Sequence, residues 1–235
     1  MARIDAAVLR GPRELGIETL DLADPKADEV LVDVRATGVC HTDYHRYTGD
    51  ADVETPVVLG HEGAGVVEAV GDAVRAVEPG DRVVLTANPS CGTCPACAAG
   101  EPYHCEPGQR AAFGGHLLDG TRRLTDADGA AVNQFFAQAS FAEKAVVPER
   151  TAIPVDERVP FEVAALLGCG AQTGIGAVVN TADVAAGLLA DEWEDALAVV
   201  VARAGAPDSV VAADRLSALA DREFGAPLHL LVIPG

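Results

Sequence analysis

Apolar and polar residues alternate over residues 6–10 and 29–37, the period of half-buried strands, and the Asp24-Pro25-Lys26-Ala27-Asp28 stretch between them has the composition of a turn. Residues 60–71 read Gly60-His61-Glu62-Gly63-Ala64-Gly65-Val66-Val67-Glu68-Ala69-Val70-Gly71. Three glycines within six residues, followed by alternating valines and alanines, predict a tight turn leading into a strand, with His61 and Glu62 at its mouth. Glu78-Pro79-Gly80-Asp81 predicts a turn into a strand over 82–86, and residues 140–147 read as another strand. Residues 39–47 fit a loop or one or two helical turns, and 118–129 an aspartate-rich loop. This part of the chain is predicted to be mainly β with short helices.

From residue 161 the period changes. Residues 161–167 and 171–182 have helical spacing, with Pro160 near a helix start. A continuous apolar run over 196–202 predicts a buried strand, 214–220 a short helix and 228–233 a further strand. The tail reads as a small α/β unit, and no internal repeat is present.

Composition adds limits. At 235 residues and 49% hydrophobic content the chain has ample material for a core. Its formal charge of −19 comes from 36 acidic and 17 basic residues, and the lysines are only Lys26 and Lys144. Such a surface repels nucleic acid and anionic membranes. Acid excess with scarce lysine predicts a halophilic protein, whose self-repulsion high salt would screen. No stretch has the apolar core of a signal peptide or the length of a membrane span, so a cytoplasmic location is expected. In that reducing compartment the six cysteines are expected to serve metal binding or catalysis rather than disulfides.

Residues 88–108 lack periodicity and carry Cys91, Cys94, Cys97 and Cys105, separated by two, two and seven residues. Short gaps with Gly92 and Pro95 let neighbouring thiolates converge on one tetrahedral ion, and four sulfurs leave no open position, so the zinc would be structural. An iron–sulfur cluster is the rival, although the ferredoxin run closes after three residues with proline following, whereas here Glu106 follows Cys105. The other cysteines are Cys40, in Cys40-His41-Thr42-Asp43-Tyr44-His45, and Cys169, between Gly168 and Gly170. With His61 they make two thiolates and an imidazole, a set that leaves zinc an open position for water or substrate. The alternative is two buried free cysteines and an unrelated structural histidine.

Taken together, the Cys40-His41-Thr42-Asp43 run, the Gly60-His61-Glu62 turn with its glycine strand, the four-cysteine lobe and Gly168-Cys169-Gly170 resemble the zinc-dependent medium-chain alcohol dehydrogenases, over residues 1–184. Residues 136–141 and 168–184 are most similar to the branch containing class III and aryl alcohol enzymes. The resemblance implies a GroES-like catalytic domain, a partly open β-barrel, over 1–184. It also implies two zinc ions per chain, a catalytic one on Cys40, His61 and Cys169 and a structural one on Cys91, Cys94, Cys97 and Cys105. Alcohol would be oxidised to aldehyde, with NAD(P) as hydride acceptor. Thr42 would take the alcohol proton, His45 pass it to solvent, Asp43 orient His61, and Glu62 approach the zinc from behind. His41 would meet the cofactor pyrophosphate and Thr173 the nicotinamide. For Thr42 and Asp43 a helix cap is the alternative.

The resemblance stops at residue 184. No Gly-x-Gly-x-x-Gly turn between a strand and a helix follows, and the family's returning C-terminal segment is expected to be absent as well. Residues 189–235 instead resemble the C-terminal part of archaeal diphthine synthase, an S-adenosylmethionine-dependent methyltransferase whose cofactor pocket would fall near Ala204 and His229. The expectation is a truncated catalytic domain, residues 1–184, joined to an α/β fragment, 185–235, with hydride transfer impaired for want of a nucleotide-binding domain. An inactive zinc-binding remnant or fusion chimera, and a methyltransferase fragment, are the alternatives. The expected partners are a small alcohol or aldehyde and, through exposed surface, a second copy of the chain in a homo-oligomer.

Overall fold

The computed structural model describes residues 1–180, 197–202, 210–215 and 229–232. The chain divides into two compact units, Met1–Cys169 and Gly170–Gly235. None of the helices among the described residues is long and apolar enough to cross a membrane.

The first unit is mainly β, as its alternation predicts. Its strands run β1 (Ala2–Gly11), β2 (Glu14–Leu22), β3 (Glu29–Thr37), β4 (Val57–Val58) and β5 (Gly63–Val70). They continue with β6 (Arg82–Leu85), β7 (Leu124–Thr125), β8 (Ala131–Gln134), β9 (Lys144–Pro148) and β10 (Ala152–Pro154). Between them lie the helices α1 (His41–Thr48), α2 (Pro95–Ala98) and α3 (Glu106–Gly114), and α4 (Phe161–Leu166) follows them. Strands β1, β2, β7, β8 and β4 close a barrel, in that order, and β10, β6, β5, β3 and β9 form a five-stranded sheet. All pairs are antiparallel except β4 with β8.

Alternation places Ile4, Ala6 and Val8 of β1 in the barrel, against Leu20, Leu22, Leu124 and Val132. Each such large apolar side chain stabilises the fold by about 1.5–3 kcal/mol through burial. β3 instead buries Glu29, Val30, Leu31 and Val32 in succession, because it lies between β5 and β9 with packing on both faces. The buried Glu29 is paired: Arg123, 3% exposed, donates to both its carboxylate oxygens, and Arg123 Nη2 reaches Asp119 Oδ2 at 2.9 Å. This cluster fastens the barrel to the sheet.

Several boundaries differ from the sequence reading. The strand of residues 60–71 begins only at Gly63, and that of 140–147 only at Lys144, because residues 140–143 cross from barrel to sheet and bond to both. The 118–129 loop contains β7, and β2, β4, β8 and β10 carry no strong alternation of their own. In the second unit, α5 (Gln172–Asn180) and the strands β11 (Leu197–Ala202), β12 (Val210–Arg215) and β13 (His229–Val232) are described. The strands form an antiparallel sheet ordered β12, β11, β13. Asp214 and Arg215 therefore end a strand rather than start a helix, since β12 pairs with β11 out to Arg215. Residues 216–220 lie outside the described residues, as do Ala204 and residues 181–196.

Candidate metal centres

The first centre is assembled from three separate elements. Cys40 precedes α1 with extended backbone, φ −82° and ψ 155°. Asp43, at the third helical position, reaches back so that its Oδ2 accepts the Cys40 N–H at 3.1 Å, satisfying one orphan donor of the helix start. Its other oxygen, Oδ1, lies 3.2 Å from His61 Nδ1 and accepts the Gly60 N–H at 3.0 Å. Asp43 is therefore a helix cap and the partner of His61 at once.

His61 is held by the turn ahead of β5. Gly60 has φ +91°, and a Cβ there would stand 2.6 Å from the Phe141 backbone nitrogen. Only glycine meets both demands cheaply. The His61 ring is 1% exposed, stacked on Phe136 at 4.4 Å between centroids and edge-on to Phe135 at 5.9 Å. With Nδ1 on Asp43, Nε2 is left for the metal.

Cys169 arrives in a π-helical turn, Leu167–Ala171, after α4. Here Gly168 lies against β6: its carbonyl accepts the Ala87 N–H at 2.9 Å, and a Cβ on it would be 2.1 Å from the Leu85 carbonyl oxygen. That close approach sets where Cys169 falls. The ligand atoms of Cys40, His61 and Cys169 all lie within 4.8 Å of one another.

Electrostatics fits a thiolate–imidazole set. Burial raises the Cys40 thiol pKa, but the Thr42 N–H and hydroxyl, with His61, more than offset it, so the thiol ionises more easily than usual. Thr42 Oγ1 lies 3.6 Å from Cys40 Sγ. Burial pushes His61 down, yet Asp43 and Cys169 outweigh it and raise the ring to about 10. Metal binding at Nε2 displaces a proton from this ring while Asp43 keeps the one on Nδ1, and two thiols beside an imidazole held in that way suit zinc, so the residues fit the ion.

The second centre is the cysteine lobe. The four sulfurs of Cys91, Cys94, Cys97 and Cys105 lie within 4.8 Å of one another. Cys94 precedes α2 and Cys105 precedes α3, so two thiols project from helix starts. Backbone N–H groups of Cys91 and Gly108 point at Cys105 Sγ, and that of Cys94 at Cys91 Sγ, each at 3.3 Å. N–H groups of Thr93 and Cys94 hold the Cys91 thiol down at about 6, whereas partial desolvation and the neighbouring thiols of Cys94 and Cys105 push Cys97 up to about 11. No side chain from Cys91 to His104 is buried. A lobe without a core of its own needs the ion to hold it.

The other expected site residues are dispersed. Glu62 is buried beside His61, 4% exposed, and its carbonyl accepts the Gly38 N–H at 2.9 Å. His41 and His45 are exposed on α1, their ring centroids 4.5 Å apart. Thr173 is exposed on α5, in the second unit.

Phe135, Phe136 and Gln138 were not legible as site residues. Gln138 is fully buried, its Oε1 accepting the Gly63 N–H at 2.9 Å and its Nε2 donating to the Thr86 carbonyl at 3.4 Å. It anchors a segment in which Phe136, Ala137 and Ala139 all have φ between 53° and 58°. Non-glycine residues seldom adopt that conformation, so no residue pattern announces it. The one available signal was the pair of amides, Gln134 and Gln138, bracketing two phenylalanines.

Similarity to known proteins agrees with this geometry. Residues 26–157 match the family described as the alcohol dehydrogenase GroES-like domain. Geraniol dehydrogenase of Castellaniella defragrans is 45% identical over 186 residues, 77% of this chain and 49% of that protein. Among solved structures, an alcohol dehydrogenase zinc-binding domain protein from Burkholderia ambifaria is 46% identical, with a TM-score of 0.73, over 78% of this chain and 50% of the other. The benzyl alcohol dehydrogenase of Acinetobacter calcoaceticus is 40% identical, with a TM-score of 0.71, over 78% and 49%. The chain spans about half the length of each of these relatives. With the barrel, the two cysteine centres and more than half the chain matched, the protein belongs to the alcohol dehydrogenase GroES-like domain family, the N-terminal domain of the zinc-type medium-chain alcohol dehydrogenases.

Proposed function

We propose that this chain supplies the catalytic half of a zinc-dependent oxidoreductase that converts an alcohol to its aldehyde with NAD(P). The observation that carries the reading is the convergence of Cys40, His61 and Cys169, from three separate elements, with Asp43 behind the imidazole. Zinc on these three would supply a Lewis acid that lowers the pKa of the alcohol. Asp43 keeps the proton on His61 Nδ1, and Phe136 fixes the plane of the ring. Thr42 Oγ1 accepts the alcohol proton as it releases its own hydroxyl proton, which the exposed His45 passes to water. His41 meets the cofactor phosphates, and Glu62 stands beside the ion.

The aryl and terpene alcohols named for two relatives support a bulky apolar substrate and the class III-like branch. The lobe ion is structural, for a total of two zinc ions. A second reading, a zinc-binding protein without hydride transfer, is favoured by the antiparallel sheet of the second unit, which differs from the parallel sheet that binds dinucleotides. Descent of residues 189–235 from a diphthine synthase would require S-adenosylmethionine binding to carry any methyl transfer.

Fluorescence titration with NADH and NADPH, together with benzyl alcohol oxidation by the zinc-loaded chain, separates the readings. Saturable nucleotide binding with aldehyde formation is expected of the first. Absence of nucleotide binding up to about millimolar concentration, which corresponds to only about 4 kcal/mol of binding free energy, leaves the second.

A further inference from the structure

We propose that His41 and His45 form a third metal site, a two-imidazole chelate on the outer face of α1 that takes Ni²⁺, Cu²⁺ or surplus Zn²⁺. It is separate from both cysteine centres and uses none of their ligands.

The pair stands four residues apart on a helix, which puts both side chains on one face. Both residues are exposed, and their ring centroids lie 4.5 Å apart with the planes tilted by 49°. Two imidazoles that each give one nitrogen to a shared ion at about 2.0–2.1 Å keep their centres about 4.5–5 Å apart, so the observed separation is the one a chelate requires. His45 also has a carboxylate on its far side, with Asp50 Oδ2 3.6 Å from Nδ1. At that distance the carboxylate acts as a nearby negative charge that favours a cation bound at the rings. Imidazole donors select nickel, copper and zinc over magnesium and calcium, and water completes the coordination at an exposed site. The chain's net charge of −19 draws cations to the surface.

One consequence rests on the proposed function. The same imidazoles would meet the cofactor phosphates and pass the proton, so an ion here removes both groups and makes surplus zinc an inhibitor.

Calorimetric titration of the zinc-loaded chain with Ni²⁺ alone tests the site, with His41→Gln and His45→Gln as the variants. One saturable site of about one ion per chain is expected, weakened at least about tenfold by either substitution. No nickel binding by the wild type, or an affinity unchanged in either variant, overturns the proposal. Zinc content and circular dichroism of the same samples report on the cysteine centres and the fold. Nickel binding that persists in a chain holding no zinc at Cys40, His61 and Cys169 would count against the dehydrogenase reading and leave the histidine chelate standing.

Discussion

The ring of Phe136 lies flat on the ring of His61, with centroids 4.4 Å apart and planes within 20°. Phe136 is itself braced edge-on by Phe113 of α3 at 5.3 Å, so an aromatic chain runs from the helix behind the cysteine lobe to the buried imidazole. Replacing Phe136 by alanine frees the ring to turn about its Asp43 bond. The expected result is a loss of about tenfold or more in zinc affinity at this centre, the scale of other groups that orient a metal ligand, with the lobe zinc unaffected. Chelator competition measures it. Phe136→Leu, which refills part of the space, should recover some of the loss, and equal affinity in all three proteins would contradict the role.

Asp43 accepts three donors with two oxygens while 2% exposed. Asp43→Asn turns one acceptor into a donor that faces another N–H. A loss of about 2–4 kcal/mol in unfolding free energy is expected, read as a lower urea midpoint at unchanged slope. A variant as stable as the wild type would show that the carboxylate is dispensable to both the helix start and the histidine.

Removing zinc is expected to act first on the lobe. With no buried side chain between Cys91 and His104, that stretch has no apolar core to hold it once an ion is removed, whereas the barrel keeps its own. Limited proteolysis after chelation should cut within residues 91–104 and spare the strands. Identical cleavage before and after chelation would mean the lobe stands without metal.

Asp119 gives the acid limb of stability. Burial pushes its pKa up, but Lys26, Thr121 and Arg123 outweigh that and hold it well below the usual carboxylate range. A carboxyl group depressed in the folded state contributes stability that is fully present above its unfolded value, about 3.9, and lost as the pH falls below it. Asp119→Asn should therefore be less stable than the wild type at neutral pH, with the gap starting to narrow as the pH falls below about 4 and still open at about pH 3. Urea midpoints across that range measure it, and a gap independent of pH would contradict the assignment.

Much of the first unit was legible because its chemistry is local. The two-residue gaps of Cys91, Cys94 and Cys97 already dictate convergence, and the alternation around Ala6 and Val8 already dictates a strand, which the structure extends to Ala2–Gly11. The Cys40, His61 and Cys169 set was suggested by ligand chemistry, two cysteines outside the lobe and a histidine at a strand mouth, and was made specific by the resemblance, since nothing in their spacing of 21 and 108 residues brings them together. That convergence depends on Gly168 lying against Leu85, a contact made by tertiary packing. β2, β4, β7, β8 and β10 escaped because short or weakly alternating strands take their identity from the partner they pair with. The left-handed run at Phe136, Ala137 and Ala139 escaped because it opposes local preference and is enforced by Gln138.

Zinc stoichiometry is the most direct test of the central claim, that two thiolate centres are built into this chain. Elemental analysis of the purified protein should give about two zinc ions per chain. About one should remain in His61→Ala, in Gly168→Ala, whose new Cβ would meet the Leu85 carbonyl oxygen at 2.1 Å, and in Cys97→Ala. A wild-type content of one or none, or two ions retained in His61→Ala, would contradict it.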